Sequence, residues 1–193
     1  MTFQLVDSSS HAPWMRRCAC GGCSPYGIIR RMNKIGEGLK IFLGSGFGLG
    51  LSPIVPGSFG ALVGLAWHAY AFRLGWRPLD IRIWCFTGAV AFSALHYILT
   101  PWAQRHWNDP DPKHFVLDEI VGYLCVPVFA VDFAYWWQLA AAFVVFRILD
   151  AIKLPGARYI DRNIHNAHGV LFDDVVSAAY SALIVSVATW FLY

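Results

Sequence analysis

Apolar residues gather in five blocks along the chain, at 41–72, 83–102, 119–131, 137–149 and 175–193. A helix that crosses a bilayer needs about 20 mostly apolar residues, within a range of roughly 17–25. The second and fifth blocks meet this as they stand. The third meets it if its helix runs on to about Tyr135, and the fourth if its helix extends past Arg147. The first block is too long and is broken by Ser52-Pro53-Ile54-Val55-Pro56-Gly57-Ser58. Two prolines so close cannot both lie inside one regular helix. The pattern therefore predicts a short helix or re-entrant piece over 41–51 and a first span that starts over 57–72. The expected fold is all-α, an integral membrane helical bundle with about four to five spanning or re-entrant helices. Irregular backbone at membrane depth is tolerated only where protein or water covers it, which makes the break at 52–58 a candidate site.

Composition strengthens the membrane expectation. Of 193 residues, 57% are hydrophobic and only 14% charged, against roughly 45–50% and about 25% in soluble domains. Nine Trp and eight Tyr suit helices anchored at a lipid–water boundary. The net charge of +3 is too small to argue for nucleic acid and fits contact with anionic lipid. Residues 1–33 hold no apolar core of signal-peptide length. Rich in Ser, Gly, Cys and Arg, they are expected to form a disordered extension ahead of a membrane domain over 34–193, and Met32 is a candidate start. Cys18, Cys20 and Cys23 lack a clear fourth metal ligand and are expected to be a reduced tail. Cys85 and Cys125 read as small core residues.

Lys and Arg orient the loops. The N-terminal segment carries Arg16, Arg17, Arg30, Arg31, Lys34 and Lys40; loop 102–118 carries Arg105 and Lys113; loop 150–173 carries Lys153, Arg158 and Arg162. Alternation puts these three on the cytoplasmic side, although loop 73–82, with Arg73, Arg77 and Arg82, runs against it. Eight of the twelve carboxylates lie in, or at the edges of, two of these loops: Asp109, Asp111, Asp118, Glu119, Asp150, Asp161, Asp173 and Asp174. Charge beside hydrocarbon is costly and usually has a partner or a function. So many carboxylates on one face need cations, either Lys and Arg or a bound metal.

The clusters have distinct alternatives. Asp118 opens an apolar helix and would serve as its N-cap, but that leaves Glu119 beside it unexplained. Asp173-Asp174 stands just before the last span and has the chemistry for a hard cation such as magnesium, which takes one or two carboxylates, several waters and phosphate oxygens. Arg147, Asp150 and Lys153 recur every three residues and are expected on one helix side. Arg158, Asp161, Arg162 and His165 follow helical spacing, as a lipid-headgroup strip or a solvated face. The glycine-rich run Gly44–Ser58 has the backbone for an anion nest, but lacks a Walker A ending and equally suits close helix packing. His68 and His96, inside apolar spans, read as packing or hydrogen-bonding residues.

Three blocks together resemble the phosphatidylglycerophosphatase A family: Gly46-Phe-Gly-Leu-Gly-Leu-Ser-Pro-Ile-Val-Pro-Gly-Ser58, Val116-Leu-Asp118-Glu119-Ile-Val-Gly122, and Phe146-Arg-Ile-Leu-Asp150-Ala-Ile-Lys153-Leu-Pro155 with Asp161-Arg162 and Asp173-Asp174. They cover most of residues 40–185. The N-terminal extension, Asn166-Ala-His168-Gly169 and Lys153-Leu-Pro155 depart from the family pattern. The resemblance implies removal of the terminal phosphate of phosphatidylglycerophosphate, with Mg2+, at the cytoplasmic face of a bacterial inner membrane, among membrane lipids. On that reading Asp118, Glu119, Asp150, Asp173 and Asp174 are the catalytic and metal-holding candidates. Ser52, Ser58, Arg147, Lys153 and Arg162 are the candidates for the substrate phosphate. Attack by water and attack by a carboxylate through an acyl phosphate both stay open. The rival from another class is a transporter or channel using intramembrane carboxylates; a CDP-alcohol phosphotransferase lacks its long Asp/Gly/Arg signature here.

Overall fold

A computed structural model describes residues 25–130, 132–164 and 166–192, with side chains from residue 35. The chain divides at Gly36, and the unit Gly36–Tyr193 carries everything that follows. Among the described residues there are seven α-helices and no strand: α1 (Pro25–Gly44), α2 (Pro56–Arg73), α3 (Pro78–Trp107), α4 (Leu117–Phe129), α5 (Trp136–Ile152), α6 (Pro155–Asn163) and α7 (Ala167–Leu192). The run Cys18–Cys23 and His165 lie outside the described residues. Helix α1 begins at Pro25, so its first turns fall within the stretch expected to be an extension.

Proline sets several starts. Pro56, Pro78 and Pro155 open α2, α3 and α6, where the missing N–H is no loss and the fixed φ suits the first turn. Asn108, at φ 52°, closes α3, because Asn tolerates the left-handed conformation that ends a helix.

Helix α4 departs from expectation. It stops at Phe129 rather than running to Tyr135, and its 13 residues make it roughly 20 Å long, short of a 30 Å hydrocarbon core. Its position explains this. Helices α2, α3, α5 and α7 all pack against it, and Ile120, Val121, Tyr123, Leu124 and Val126 are buried around its circumference. A helix apolar on every side belongs in the middle of a bundle. Its sequence looks like a span because its neighbours replace the lipid.

Helices α3 and α7, with mean hydropathies of 1.5 and 1.9 over their most apolar windows, are long and apolar enough to cross a membrane. The outer surface carries large exposed apolar side chains, among them Leu62 on α2, Phe86 and Ile98 on α3, Ile148 on α5, and Leu183 and Trp190 on α7. So many large exposed apolar side chains point to an interaction or membrane surface. The buried polar residues His68, His96, Gln138, Ser177 and Ser181 face inward. His68 meets the Tyr123 hydroxyl at 3.4 Å and His96 meets the Ala167 carbonyl at 3.0 Å, so both act as hydrogen-bonding core residues. Cys85 and Cys125 are free thiols in the apolar core.

Helices α2, α3, α4, α5 and α7 follow one another with short connections at one end, 74–77 and 130–135. The other end carries the starts of α2, α4 and α7, the ends of α3 and α5, and helix α6. The stretches 108–116 and 153–166 therefore share an end, as the loop charges predict.

Candidate active site

At that end a cavity of about 340 Å³ opens between α2, α4, α5 and α7. Asp118, Glu119, Asp150, Asp173 and Asp174 line it together with Arg147 and Lys153. All five carboxylates singled out in the sequence thus meet in one place, from three helices. Of the five residues picked for phosphate, Arg147 and Lys153 line the cavity. Ser58 reaches it indirectly, accepting a 3.3 Å hydrogen bond from Arg147 Nε. Ser52 and Arg162 do not line it. The Ser52 hydroxyl donates to the Ile54 carbonyl and accepts from the Ile54 N–H, and Arg162 is exposed in the last turn of α6.

The carboxylates fall into two groups. Asp150 and Asp173 already have cations. Arg147 Nη1 lies 2.7 Å from Asp150, and Lys153 Nζ lies 2.6 Å from both Asp173 and Asp161. Asp118, Glu119 and Asp174 do not pair in this way. Each has a buried oxygen with no hydrogen-bond partner: Asp118 Oδ1, Glu119 Oε2 and Asp174 Oδ2. Ligand atoms of these three lie within 4.8 Å of one another. Buried polar atoms are normally satisfied, and like charges so close cannot all persist without a counter-charge. The cluster must take up protons or hold a cation. Hard oxygen donors at this spacing suit magnesium, whose remaining positions go to water and phosphate.

Local structure departs from the sequence reading at four of these residues. Asp118 is not a cap: Val116 holds the N-cap position of α4 without a side-chain bond, and Asp118 and Glu119 fall in the first turn. There the helix dipole favours their negative charge while Asp118 Oδ1 and Glu119 Oε2 stay free for a ligand. Asp173 and Asp174 lie inside α7, which starts at Ala167, rather than ahead of it. Lys153 leaves the helix side that Arg147 and Asp150 share. It is the C-cap of α5 at φ 50°, which turns its ammonium toward α6 and α7. Partial burial works against that ammonium, but the Asp161 and Asp173 carboxylates more than offset it and hold Lys153 above the usual lysine range.

The glycine-rich run does not form an anion nest. The N–H groups of Ser45 to Ser52 are all used within the loop or by the end of α1. Its glycines instead permit close packing: a Cβ on Gly50 would stand 2.8 Å from the His114 carbonyl oxygen. The stretch that does reach the cavity is Val55-Pro56-Gly57, at the start of α2. A Cβ on Gly57 would collide with Glu119 Oε1 and stand 2.8 Å from Arg147 Nη2. Gly57 therefore lets the first turn of α2 close against both groups. Gly122 does the same between α4 and α7, where a Cβ would stand 2.9 Å from the Asp174 Cβ. Sequence reasoning marked the break at 52–58, which holds Val55 and Gly57, and the acidic Asp111 without giving these residues a role, although all three line the cavity; it missed Gly122. Gly57 had a signal in the Pro-Gly that opens a helix; Gly122 looked like any small residue in an apolar block.

An acidic, cation-walled pocket at one end of an apolar helical bundle is suited to a phosphate group, and the comparisons give the class: this is an enzyme of the phosphatase type. Residues 42–189 match the family model described as Phosphatidylglycerophosphatase A, and the chain belongs to that family. It is 33% identical over 141 residues to phosphatidylglycerophosphatase A of Escherichia coli, covering 72% of this chain and 77% of that one. It is 31% identical over 154 residues to the Haemophilus influenzae protein of the same name, covering 78% and 89%. It is 35% identical over 159 residues to a Bacteroides thetaiotaomicron protein provisionally named a phosphatidylinositol-3-phosphatase, covering 79% and 94%. No solved structure matches.

Proposed function

We propose that the protein is an integral membrane lipid phosphatase that hydrolyses phosphatidylglycerophosphate to phosphatidylglycerol and phosphate with Mg2+, at the cytoplasmic face of a bacterial inner membrane. The observation that carries this reading is the trio of orphaned oxygens on Asp118, Glu119 and Asp174 beside the fixed cations Arg147 and Lys153. Those three carboxylates would hold the magnesium ion, which when bound supplies Lewis-acid polarisation of a phosphate oxygen and lowers the pKa of a coordinated water.

Each remaining residue has a part set by its partners. Arg147, fixed by Asp150 on one side and Ser58 on the other, presents a preorganised guanidinium to charge on the transferring phosphoryl group. Asp150 and Asp173 act by orienting Arg147 and Lys153, which leaves the cluster of Asp118, Glu119 and Asp174 as the acidic centre. The first turn of α2 offers a positive dipole end beside Glu119. The carboxylates sit at the end of the bundle rather than halfway along it, which suits a headgroup site better than an ion pathway.

The substrate is tested by phosphate release from a panel of lipid phosphomonoesters in detergent micelles. Release from phosphatidylglycerophosphate that stops with EDTA supports the proposal. Release from phosphatidylinositol 3-phosphate alone would move the substrate to the lipid named for the Bacteroides relative, and release from neither would end the phosphatase reading.

A further inference from the structure

The cavity has one apolar edge that phosphate chemistry does not use. Val55 and Ala151 line it together with the acidic residues, yet Val55 and Ile54 are 61% and 72% exposed. Ala151 is exposed too, and beside it on α5 stand the exposed Ile148 and Ile152. No charged residue occurs from Ile41 to Phe72.

The backbone at Val55 adds an independent observation. Val55 has φ 45° and ψ 59°, the left-handed conformation that a β-branched side chain adopts only under strain. Glycine or asparagine would fit there without that strain. The conformation is enforced from both sides: the Ser52 hydroxyl bridges the N–H and carbonyl of Ile54, and the Val55 carbonyl accepts from Ser58 N–H at 3.0 Å. Strain kept at the edge of a site points to use of the side chain.

We propose that Val55, with Ile54 and the α5 residues Ala151 and Ile148, forms an acyl-chain contact through which a lipid phosphomonoester enters the cavity sideways. The phosphate rests over the carboxylates, and the first methylenes of one chain cross the Val55–Ala151 edge into the bilayer. The occupant is a lipid rather than a protein, because this apolar edge and the acidic floor line one cavity. The proposal rests on the lipid phosphatase reading and adds the origin of selectivity for acylated over water-soluble substrate.

The test measures kcat/KM on phosphatidylglycerophosphate with two oleoyl chains in micelles, and on its deacylated, water-soluble headgroup. Full-length wild type, Val55→Gly, Val55→Asn and Val90→Asn are compared, the last a control at an exposed apolar position of α3. The two Val55 variants should keep or raise the thermal midpoint. Their long-chain to headgroup ratio should fall about tenfold, through KM, as apolar contact is lost. Val90→Asn should leave the ratio unchanged. A ratio within about twofold of wild type in both Val55 variants, or a lowered midpoint with equal loss on both substrates, overturns the proposal. No release by the wild type from either substrate overturns the phosphatase reading itself, and the acyl-chain contact with it.

Discussion

Gly57→Ala separates folding from chemistry at this site. The position is the second residue of α2, and its φ is not in the positive range, so alanine suits the backbone. On propensity alone the change stabilises a helix by roughly 0.5–1 kcal/mol. The new Cβ, however, would overlap Glu119 Oε1 and stand 2.8 Å from Arg147 Nη2. Both are ends of flexible side chains, so they can give way without unfolding α2. What gives way is the placement of one carboxylate of the trio proposed to hold the metal, and of the guanidinium. A displacement approaching 1 Å at such a site costs on the order of 100-fold in rate. The expected result is a thermal midpoint equal to or above wild type, with phosphate release down about 100-fold and a higher magnesium concentration for half-maximal rate. Gly60→Ala is the contrast. Its Cβ would stand 2.8 Å from the Val116 carbonyl oxygen and 2.7 Å from the Val116 Cβ, groups that cannot swing aside. It should lower stability by about 1–3 kcal/mol while the folded fraction keeps its activity. Release by Gly57→Ala within about threefold of wild type would refute the reasoning, because the site would then tolerate what the geometry forbids.

Other variants probe the division of the carboxylates. Asp174→Asn should abolish magnesium-dependent release, and because it removes one of three crowded charges, the thermal midpoint in EDTA should hold or rise; a lowered midpoint in EDTA would contradict this. Lys153→Met strands the buried Asp173 and should lower stability by about 3 kcal/mol; adding Asp173→Asn should recover part of that, which denaturant unfolding of the double variant checks. Because the folded Lys153 pKa is raised, its contribution is fully present below the unfolded lysine value and lost only as pH rises through the folded one. Unfolding of the wild type should therefore show no loss from deprotonation of Lys153 between about pH 7 and 9. Arg147→Lys keeps the charge but loses the fork that meets Asp150 and Ser58 together, and should reduce the rate by at least about tenfold.

Much of this was legible in the sequence for physical reasons. The paired prolines at 53 and 56 marked the start of α2, and loop charges placed 102–118 and 150–173 at the same end. The carboxylates drew attention because charge beside apolar blocks is costly, and all five candidates do line one cavity. What stayed hidden depends on neighbours. An apolar block reads alike whether lipid or other helices surround it, so α4 passed for a longer span. Which carboxylates already have cations depends on the turn at Lys153 and on α6 and α7 meeting there. The glycine-rich run advertised an anion site, but the N–H groups of Ser45 to Ser52 are consumed locally, and the useful glycine is Gly57, near its end. The Pro-Gly that opens α2 marks Gly57 locally, but its part in the site shows only when Glu119 and Arg147 arrive from other helices.

The most direct test of the central claim is phosphate release from phosphatidylglycerophosphate by purified wild type and Asp118→Asn, titrated with magnesium and then with EDTA. The account predicts release that rises with magnesium, stops with EDTA and is absent in Asp118→Asn at every magnesium concentration. Release that persists in EDTA, or that Asp118→Asn supports at the wild-type rate, would contradict it.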